Sequence, residues 1–395
     1  MPLTPEEGRR LHVLNLLERK QVTTAQAAEA LELSPRQIRR LRATLLQAGP
    51  AGLAHRRRER PAHNRLAAPL RAQVLALARG RYAGLNDVHL TEKLTAVEGL
   101  SVSRATVRRL LRAAGVASPR RRRPPLHRSR RPRRAQAGLL CQLDGSPFAW
   151  FGPAQPPCSL LGAIDDATGA VLAAGFRVQE DAAGYLTLLR TLGQTVGLPA
   201  AVYTDGHGIF PRHDPHWTLA EELQGHQDPT QVGQALATLA IAHLVAQSPQ
   251  AKGRIERLWN TLQDRLVAEL RLAGITTRAT GDAFLTTTFL PAFNAQFAVP
   301  PTMAASAYRP VPRGWDLSRI CAFHYARAVA ADNTVRVDEI RLQLLPGPGR
   351  RSYAKAAADV VQCLDGAWRV YIRDRLVATT PAPADPGQLR ARKRR

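Results

Sequence analysis

Apolar residues in the first third of the chain recur three or four positions apart, and each series follows a helix-start signal. Thr4-Pro5-Glu6-Glu7 places a hydroxyl at the N-cap, proline at the first helical position and glutamate at the third, a pattern that opens a helix. Leu11, Val13, Leu14 and Leu17 carry the apolar side of that helix to about Lys20. Thr23-Thr24-Ala25-Gln26 opens a short second helix to about Leu31, and Ser34-Pro35-Arg36-Gln37 a third to about Leu46. In the third, Ile38, Leu41 and Leu45 turn inward while Arg36, Arg39, Arg40 and Arg42 turn outward. Short helices, a tight turn and a basic second helix read as a helix-turn-helix over residues 1–60, although the turn lacks the favoured glycine.

The plan repeats over residues 65–117. A helix over about Leu66–Arg79 precedes one opened by Leu85-Asn86-Asp87. Gly99-Leu100-Ser101-Val102-Ser103 is the turn, and Ser103 caps a third helix. That helix turns Val107, Leu110 and Leu111 inward and carries Arg104, Arg108, Arg109 and Arg112. Residues 118–135 then break the periodicity. Nine arginines, Arg120, Arg121, Arg122 and Arg123 among them, stand between prolines with no apolar series. Such a stretch cannot bury a core and reads as an extended, disordered basic linker.

From residue 136 the pattern changes to short apolar runs alternating with helical series. Leu139–Asp144 is a strand ending in an acid. Ser159–Ile164 and Ala170–Phe176 pair as a hairpin across Asp165-Asp166-Ala167-Thr168-Gly169. A helix with Tyr185, Leu188, Leu189 and Leu192 on one side follows, then a strand, Ala200–Asp205, again ending in an acid. After a polar stretch come a helix near Gln231–Leu239, a short strand to Val245 and a long helix from Ser248-Pro249 to about Leu272. Three strands, helix, strand, helix, strand, helix is the order of a ribonuclease-H-like α/β core over residues 136–300. Residues 320–380 alternate as strands, with Asp365-Gly366 as a hairpin turn, and predict a small β-barrel. The basic tail, residues 381–395, predicts disorder. The expected fold is therefore multidomain: N-terminal all-α helix-turn-helix units, a central α/β core and a small C-terminal all-β barrel.

Charge sharpens this division. The chain of 395 residues carries a formal net charge of +25. Residues 1–137 hold 30 Lys+Arg against 9 Asp+Glu, while the remainder holds 26 against 22. An excess confined to the helical part predicts a polyanionic partner there, double-stranded DNA, with no membrane involved. No apolar run approaches the roughly 18 residues that span a bilayer, and the first residues lack a secretory pattern. The four cysteines, Cys141, Cys158, Cys321 and Cys363, lie far apart, which argues against a disulfide scaffold and for a reducing cytoplasm.

Candidate chemistry rests on three carboxylates. Asp144 and Asp205 end two strands expected to be neighbours, and Glu256 lies on the long helix at the edge of the stripe Ile255, Leu258, Trp259, Leu262 and Leu266. Converging carboxylates repel one another unless they hold cations, and oxygen donors select Mg²⁺ or Mn²⁺. Two such ions can activate an attacking hydroxyl and stabilise the leaving oxygen of a phosphodiester. Lys252 and Asn260, four residues either side of Glu256, lie on its side of the helix and suit contacts to DNA phosphates. His207, two residues after Asp205, is placed for a contact to substrate or to that acid. Asp165 and Asp166 read as structural turn residues.

Gln142-Leu143-Asp144-Gly145-Ser146, Tyr203-Thr204-Asp205-Gly206-His207 and Ser248-Pro249-Gln250-Ala251-Lys252-Gly253-Arg254-Ile255-Glu256-Arg257 together resemble insertion-sequence transposases of the ISNCY type, which carry a retroviral-integrase-like core. The resemblance spans roughly residues 5 to 380. It implies that Asp144, Asp205 and Glu256 form a DDE triad holding two Mg²⁺ or Mn²⁺ ions. The helix-turn-helix units would bind terminal inverted repeats. Water would free a 3′-OH at the element end, which would then attack target DNA directly. Joining two ends implies at least a dimer on DNA, in a bacterial cytoplasm at the nucleoid. The long interval from Asp205 to Glu256 reads as a subtype insertion over residues 206–230. A non-catalytic DNA-binding regulator and a structure-specific ribonuclease-H-like nuclease are the alternatives.

Overall fold

A computed structural model describes residues 3–54, 66–119, 131–212, 215–246 and 253–392. They fall into two compact units, Met1–Val74 and Leu75–Arg395. In the first unit, helices α1 (Pro5–Glu18), α2 (Thr24–Leu31) and α3 (Pro35–Ala48) each begin at a complete capping box, built on Thr4 and Glu7, Thr23 and Gln26, and Ser34 and Gln37. Leu14, Leu17, Ala27, Ile38 and Leu53 close its core. The turn without glycine is made by Glu32, which itself adopts a left-handed conformation at φ 54°, at a cost of about 1–2 kcal/mol. Arg42 pairs with Glu18 on α1, whereas Arg36, Arg39 and Arg40 stay exposed.

Helix α4 (Ala68–Arg79) spans the division between the units. The second unit continues with α5 (Asp87–Ala96), capped by Asn86, and α6 (Arg104–Ala113), capped by Ser103. Leu90, Leu94, Val107 and Leu111 are buried between and around these helices, and Arg112 of α6 grips both carboxylate oxygens of Asp87, at 2.9 and 2.8 Å.

The centre of the second unit is a five-stranded sheet in the order β3-β2-β1-β4-β5. Its strands are β1 (Cys141–Phe148), β2 (Cys158–Asp165), β3 (Val171–Arg177), β4 (Ala201–Thr204) and β5 (Ala242–Val245). The first three are antiparallel, and β4 and β5 run parallel to β1. Leu143, Leu161, Ala163 and Val202 face α7 (Ala182–Thr195) and α9 (Gln231–Thr238) in one apolar core. Between β4 and α9, the short α8 (Leu219–Gln224) arises from a Thr218–Glu221 capping box inside the stretch read as merely polar.

The opposite face, through Leu160, Ile164, Val171 and Phe176, packs on the long α10 (Gly253–Leu272) and on Leu285, Phe289 and Phe293. Those three residues belong to α12 (Leu290–Phe297) and to the single π-turn that joins it to α11 (Arg278–Phe284). Burying Leu262, Leu266 and Leu270, each fully enclosed, contributes about 2 kcal/mol apiece before entropy is charged. The helix therefore holds its place mainly by this stripe.

After α13 (Leu317–Ile320), β6 (Phe323–Ala328), β9 (Ala357–Gln362), β10 (Trp368–Ile372) and β11 (Arg375–Thr379) form an antiparallel sheet in the order β11-β10-β9-β6. The remaining strands, β7 (Thr334–Val337) and β8 (Ile340–Gln343), pair only with each other. This corrects the expected barrel. The all-β region is an open sheet plus a hairpin, because four-residue β7 and β8 are too short to carry pairing round from β6 to β11. The tail is also more ordered than expected up to residue 392. Leu389 is buried in the main apolar cluster, and the backbone N–H of Arg392 donates to the Tyr325 hydroxyl over 3.2 Å. No helix among the described residues is long and apolar enough to cross a membrane.

Candidate active site

Strand pairing places the first two acids. Cys141 pairs with Val202 and Gln142 with Tyr203 in the parallel β1–β4 ladder. Continuing that register two residues brings Asp144 and Asp205 onto the same rung of adjacent strands. Side chains alternate along a strand, so both acids share the face of Gln142, the face covered by α10. Asp144 is not at a strand end, as expected, but inside an eight-residue β1 opposite Gly162 of β2. The strand runs on because Ser146–Phe148 keep pairing with Cys158–Leu160. Asp205 follows directly on β4, and its Oδ1 accepts the backbone N–H of His207 over 3.1 Å.

Helix α10 reaches Asp144 through Trp259, whose Nε1–H donates to Asp144 Oδ2 over 2.9 Å. The indole lies over Gly162, where a Cβ would come within 2.8 Å of the ring. Glu256, one turn earlier on α10, is exposed. Its helix is anchored at its start by Arg254, whose guanidinium donates to Asp166 Oδ1 over 2.6 Å and to the Arg131 carbonyl over 2.6 Å. Asp166 is fully buried and also takes Arg131, the backbone N–H of Arg134 and the Gln142 amide. Burial alone would raise its carboxyl, but Arg131, the Arg134 N–H and Arg254 outweigh that and hold it below the ordinary range. Asp165 accepts from Gly138 N–H, Tyr308 Oη–H and Thr168 N–H. Both acids are thus structural, as their turn context predicts.

A fourth acid stands at the site without having been legible. Glu180 precedes the α7 N-cap Asp181, and its Oε2 would lie 2.8 Å from a Cβ on Gly145, the neighbour of Asp144. Burial pushes its carboxyl up, the Tyr185 hydroxyl bonded to it pulls back, and the charges of Asp144 and Asp205 push up again. In sequence, Gln179-Glu180-Asp181 looks like any polar helix start. Trp259 was legible only as part of an apolar stripe, which gives no hint of its N–H.

The other expected residues fall as follows. Asn260 is exposed and donates to the Glu256 carbonyl over 2.9 Å. His207 is exposed, with its Nδ1 accepting the Ile209 N–H over 3.3 Å. Arg104, Arg108 and Arg109 line the exposed side of α6. Lys252 and Arg120, Arg121, Arg122 and Arg123 lie outside the described residues. The described end of the linker is pinned: Arg131, Arg133 and the Arg134 N–H all bond to Asp166 or Ala167. As a place for a cation, Asp144 and Asp205 offer oxygen donors of the right chemistry for Mg²⁺ or Mn²⁺. Among the described residues, no three His, Cys, Asp or Glu side chains gather closely enough to hold an ion.

Residues 9–72 match the winged helix-turn helix family. Over 343 residues the chain is 37% identical to the protein called transposase y4bF of Sinorhizobium fredii (strain NBRC 101917 / NGR234), covering 87% of this chain and 73% of that one. The transposase for insertion sequence IS1202 of Streptococcus pneumoniae is 29% identical over 409 aligned positions, covering 94% of this chain and 86% of that one. Among solved structures, a simian T-cell lymphotropic virus intasome in complex with the PP2A regulatory subunit B56 gamma overlaps 78% of this chain and 100% of that chain. Its identity is 15% and its TM-score 0.31, an overlay too loose to bear on the site.

Proposed function

The chain belongs to the transposase family, and from that premise we propose that it cuts and joins DNA with a DDE centre made of Asp144, Asp205 and Glu256. The observation that carries this is the shared rung of Asp144 and Asp205 in the β1–β4 register, with α10 tied across it by the Trp259–Asp144 bond. The strand order β3-β2-β1-β4-β5, antiparallel then parallel, supports a ribonuclease-H-like core.

Two phosphoryl transfers make up the reaction. In the first, a water oxygen bonds to phosphorus at the element end, the 3′ oxygen leaves and takes a proton, and a 3′-OH results. In the second, that hydroxyl bonds to a target phosphorus as the target's own 3′ oxygen leaves. One phosphodiester forms for each one broken in this second step, so neither ATP nor a covalent protein intermediate is required. Asp144, Asp205 and Glu256 would hold Mg²⁺ or Mn²⁺, which when bound supplies activation of the attacking oxygen and charge neutralisation at the phosphate. Trp259 orients Asp144, and Asp166 orients the start of α10 through Arg254. The exposed arginines of α3 (Arg36, Arg39, Arg40) and of α6 (Arg104, Arg108, Arg109) would take the terminal repeats, by phosphate contacts and by bidentate contacts to guanine. Arg120–Arg123 would follow the backbone, and Lys252 and Asn260 would hold phosphates beside Glu256. Joining two ends calls for at least two copies on DNA, at the nucleoid of a bacterial cytoplasm.

A strand-transfer assay tests this reading: full-length protein, Mg²⁺ or Mn²⁺, plasmid target and a labelled duplex bearing the repeats that flank the gene. Joined product that disappears with EDTA and in Glu256→Gln is the expected outcome. Tight, specific binding with no cleavage in either metal would replace it with a DNA-binding regulator.

A further inference from the structure

The second helical unit is not merely linked to the catalytic core; its helix α5 is docked along α10 by a continuous polar seam. Asn86, at the N-cap of α5, donates its amide to Asp264. Glu92 receives both nitrogens of Arg265, at 2.6 and 2.9 Å, and the Gln296 amide at 2.8 Å. His89 and Lys93 both meet Glu269, at 2.6 and 2.7 Å, and Arg271 donates to the Ala83 carbonyl over 2.8 Å. One side of each central pair is buried while its partner stays partly exposed. His89 is 2% exposed and Arg265 9%, with the Arg265 guanidinium stacked 4.7 Å from the Phe297 ring centre. A part-buried bidentate Arg–carboxylate pair fixes relative geometry better than a single-point surface pair does.

The Arg112–Asp87 pair clamps α6 to α5 beside Asn86, whose bond to Asp264 is the seam contact nearest Glu256. Beyond that same end α10 carries Glu256 and, through Trp259, holds Asp144. A rise of 1.5 Å per residue puts Asp264 to Glu269 about 12–20 Å along α10 from Glu256. That is less than one turn of B-DNA, about 34 Å. Two sideways steps of about 8–10 Å each, from α10 to α5 and from α5 to α6, still leave a span on the order of one turn. A helix reading the groove from α6 and a phosphate lying at Asp144 can therefore belong to one short duplex.

We propose that the α5–α10 seam is a spacer, fixing the offset between the DNA read by α6 and the phosphodiester cut at the same chain's active site. The proposal rests on α6 reading DNA and on the three acids forming the catalytic centre. The seam would make the cut position a property of one rigid body, without a ruler supplied by a second copy.

The test uses the full chain with charge exchange at the central pair: Glu92→Arg alone, Arg265→Glu alone, and both together. The four native cysteines are buried, so spin labels can be directed to Ala113→Cys at the end of α6 and Gln155→Cys in the β1–β2 loop, both exposed. Without DNA, the wild-type label distance should be a single narrow peak, broadened in each single exchange and narrowed again in the double. On an end-labelled duplex, the single exchanges should retain the footprint while cutting at the wild-type position drops on the order of 100-fold, as small misplacements do. Cuts should scatter to neighbouring phosphates, and the double exchange should restore one position. An unbroadened distance in Glu92→Arg, or a broadened distance with the cut position unmoved, overturns the spacer. If the distances respond as expected but wild-type protein cuts nothing, the seam's rigidity stands, and the catalytic reading and the spacer's role in cutting fall together.

Discussion

Trp259 and Asp144 lie 115 residues apart in sequence and meet at 2.9 Å, indole N–H to carboxylate, across the α10–β1 interface. The ring can reach because β2 carries Gly162 at the point of contact, where any Cβ would stand 2.8 Å from the indole. Trp259→Phe keeps an aromatic ring on that face but removes the N–H bond to Asp144 and the part of the indole lying over Gly162. A hydrogen bond to a charged group is worth about 1.5–3 kcal/mol, so strand transfer should fall roughly tenfold or more while duplex affinity stays unchanged. Gly162→Ala should lower stability by about 1–3 kcal/mol through overpacking. Combined with Trp259→Phe the cost should shrink, because the smaller ring vacates the clash. Thermal melts of the two single variants and the double settle this, and strictly additive losses would break the proposed contact.

Asp166→Asn should be among the most damaging single changes outside the three acids. The fully buried carboxylate joins Arg131, Arg254, the Arg134 N–H and Gln142. Removing its charge leaves two part-buried guanidinium groups without their counter-charge, at a cost of about 3–5 kcal/mol. The sign of its pH dependence follows from its lowered pKa. A carboxyl held below its unfolded value of about 3.9 contributes fully above that pH and loses its contribution as pH falls further. The wild-type melting temperature should therefore drop below about pH 4, and the Asn variant should start lower and lose less over that window.

Much of this arrangement could be read from the chain, and the misses share a cause. Caps and periodicity located α1, α2, α3, α5 and α6 because those signals are local: Thr4 with Glu7, or Ser34 with Gln37, act within one turn. Asp144 and Asp205 were legible as a pair because both close apolar strand runs. Glu180 was not, since only the long-range approach of the α7 start to Gly145 gives it a role. The barrel expectation failed for a similar reason. Alternation shows that β7 and β8 are strands but not which partner each pairs with. The seam of Glu92, Arg265 and Glu269 joins residues about 175 apart, and each alone looks like a solvated helix charge. The basic composition of the tail hid Leu389, a single apolar residue with a place in the core.

Asp282 should give the protein an opposite pH response above pH 4. It sits half-buried on α11 and accepts the Phe176 N–H on β3 over 2.7 Å. Burial pushes its carboxyl up to about 6, despite that bond and the nearby Arg177 and Arg278. With the folded value above the unfolded one, the folded chain binds the extra proton between about pH 4 and 6. Stability from this group therefore declines as pH rises through that window. Asp282→Asn keeps an oxygen for the Phe176 N–H and abolishes the titration. Denaturant midpoints at pH 5 and pH 7 should differ less in the variant than in wild type, and an unchanged difference would assign the response elsewhere.

The exposed arginines of α3 and α6 can be sorted into two kinds by salt. An arginine that only neutralises a phosphate contributes about 0.9 to the slope of log affinity against log salt. One that reads a base edge costs about 1–3 kcal/mol when lost, and only at its own sequence position. Arg36, Arg39, Arg40, Arg104, Arg108 and Arg109 are exposed on their helices. Arg42 and Arg112 are committed to Glu18 and Asp87. Alanine at each of the six should either flatten the salt slope by nearly one unit on every duplex or leave the slope and relax preference at one base pair. Alanine at Arg42 or Arg112 should instead lower the melting temperature, with the slope little changed. Fluorescence anisotropy over a salt series, on the repeat and on a scrambled duplex, separates these outcomes. If the slope responds to Arg42 or Arg112 as strongly as to the six, those two ion pairs open on DNA, and α3 and α6 meet the duplex through different faces from the ones these six arginines mark.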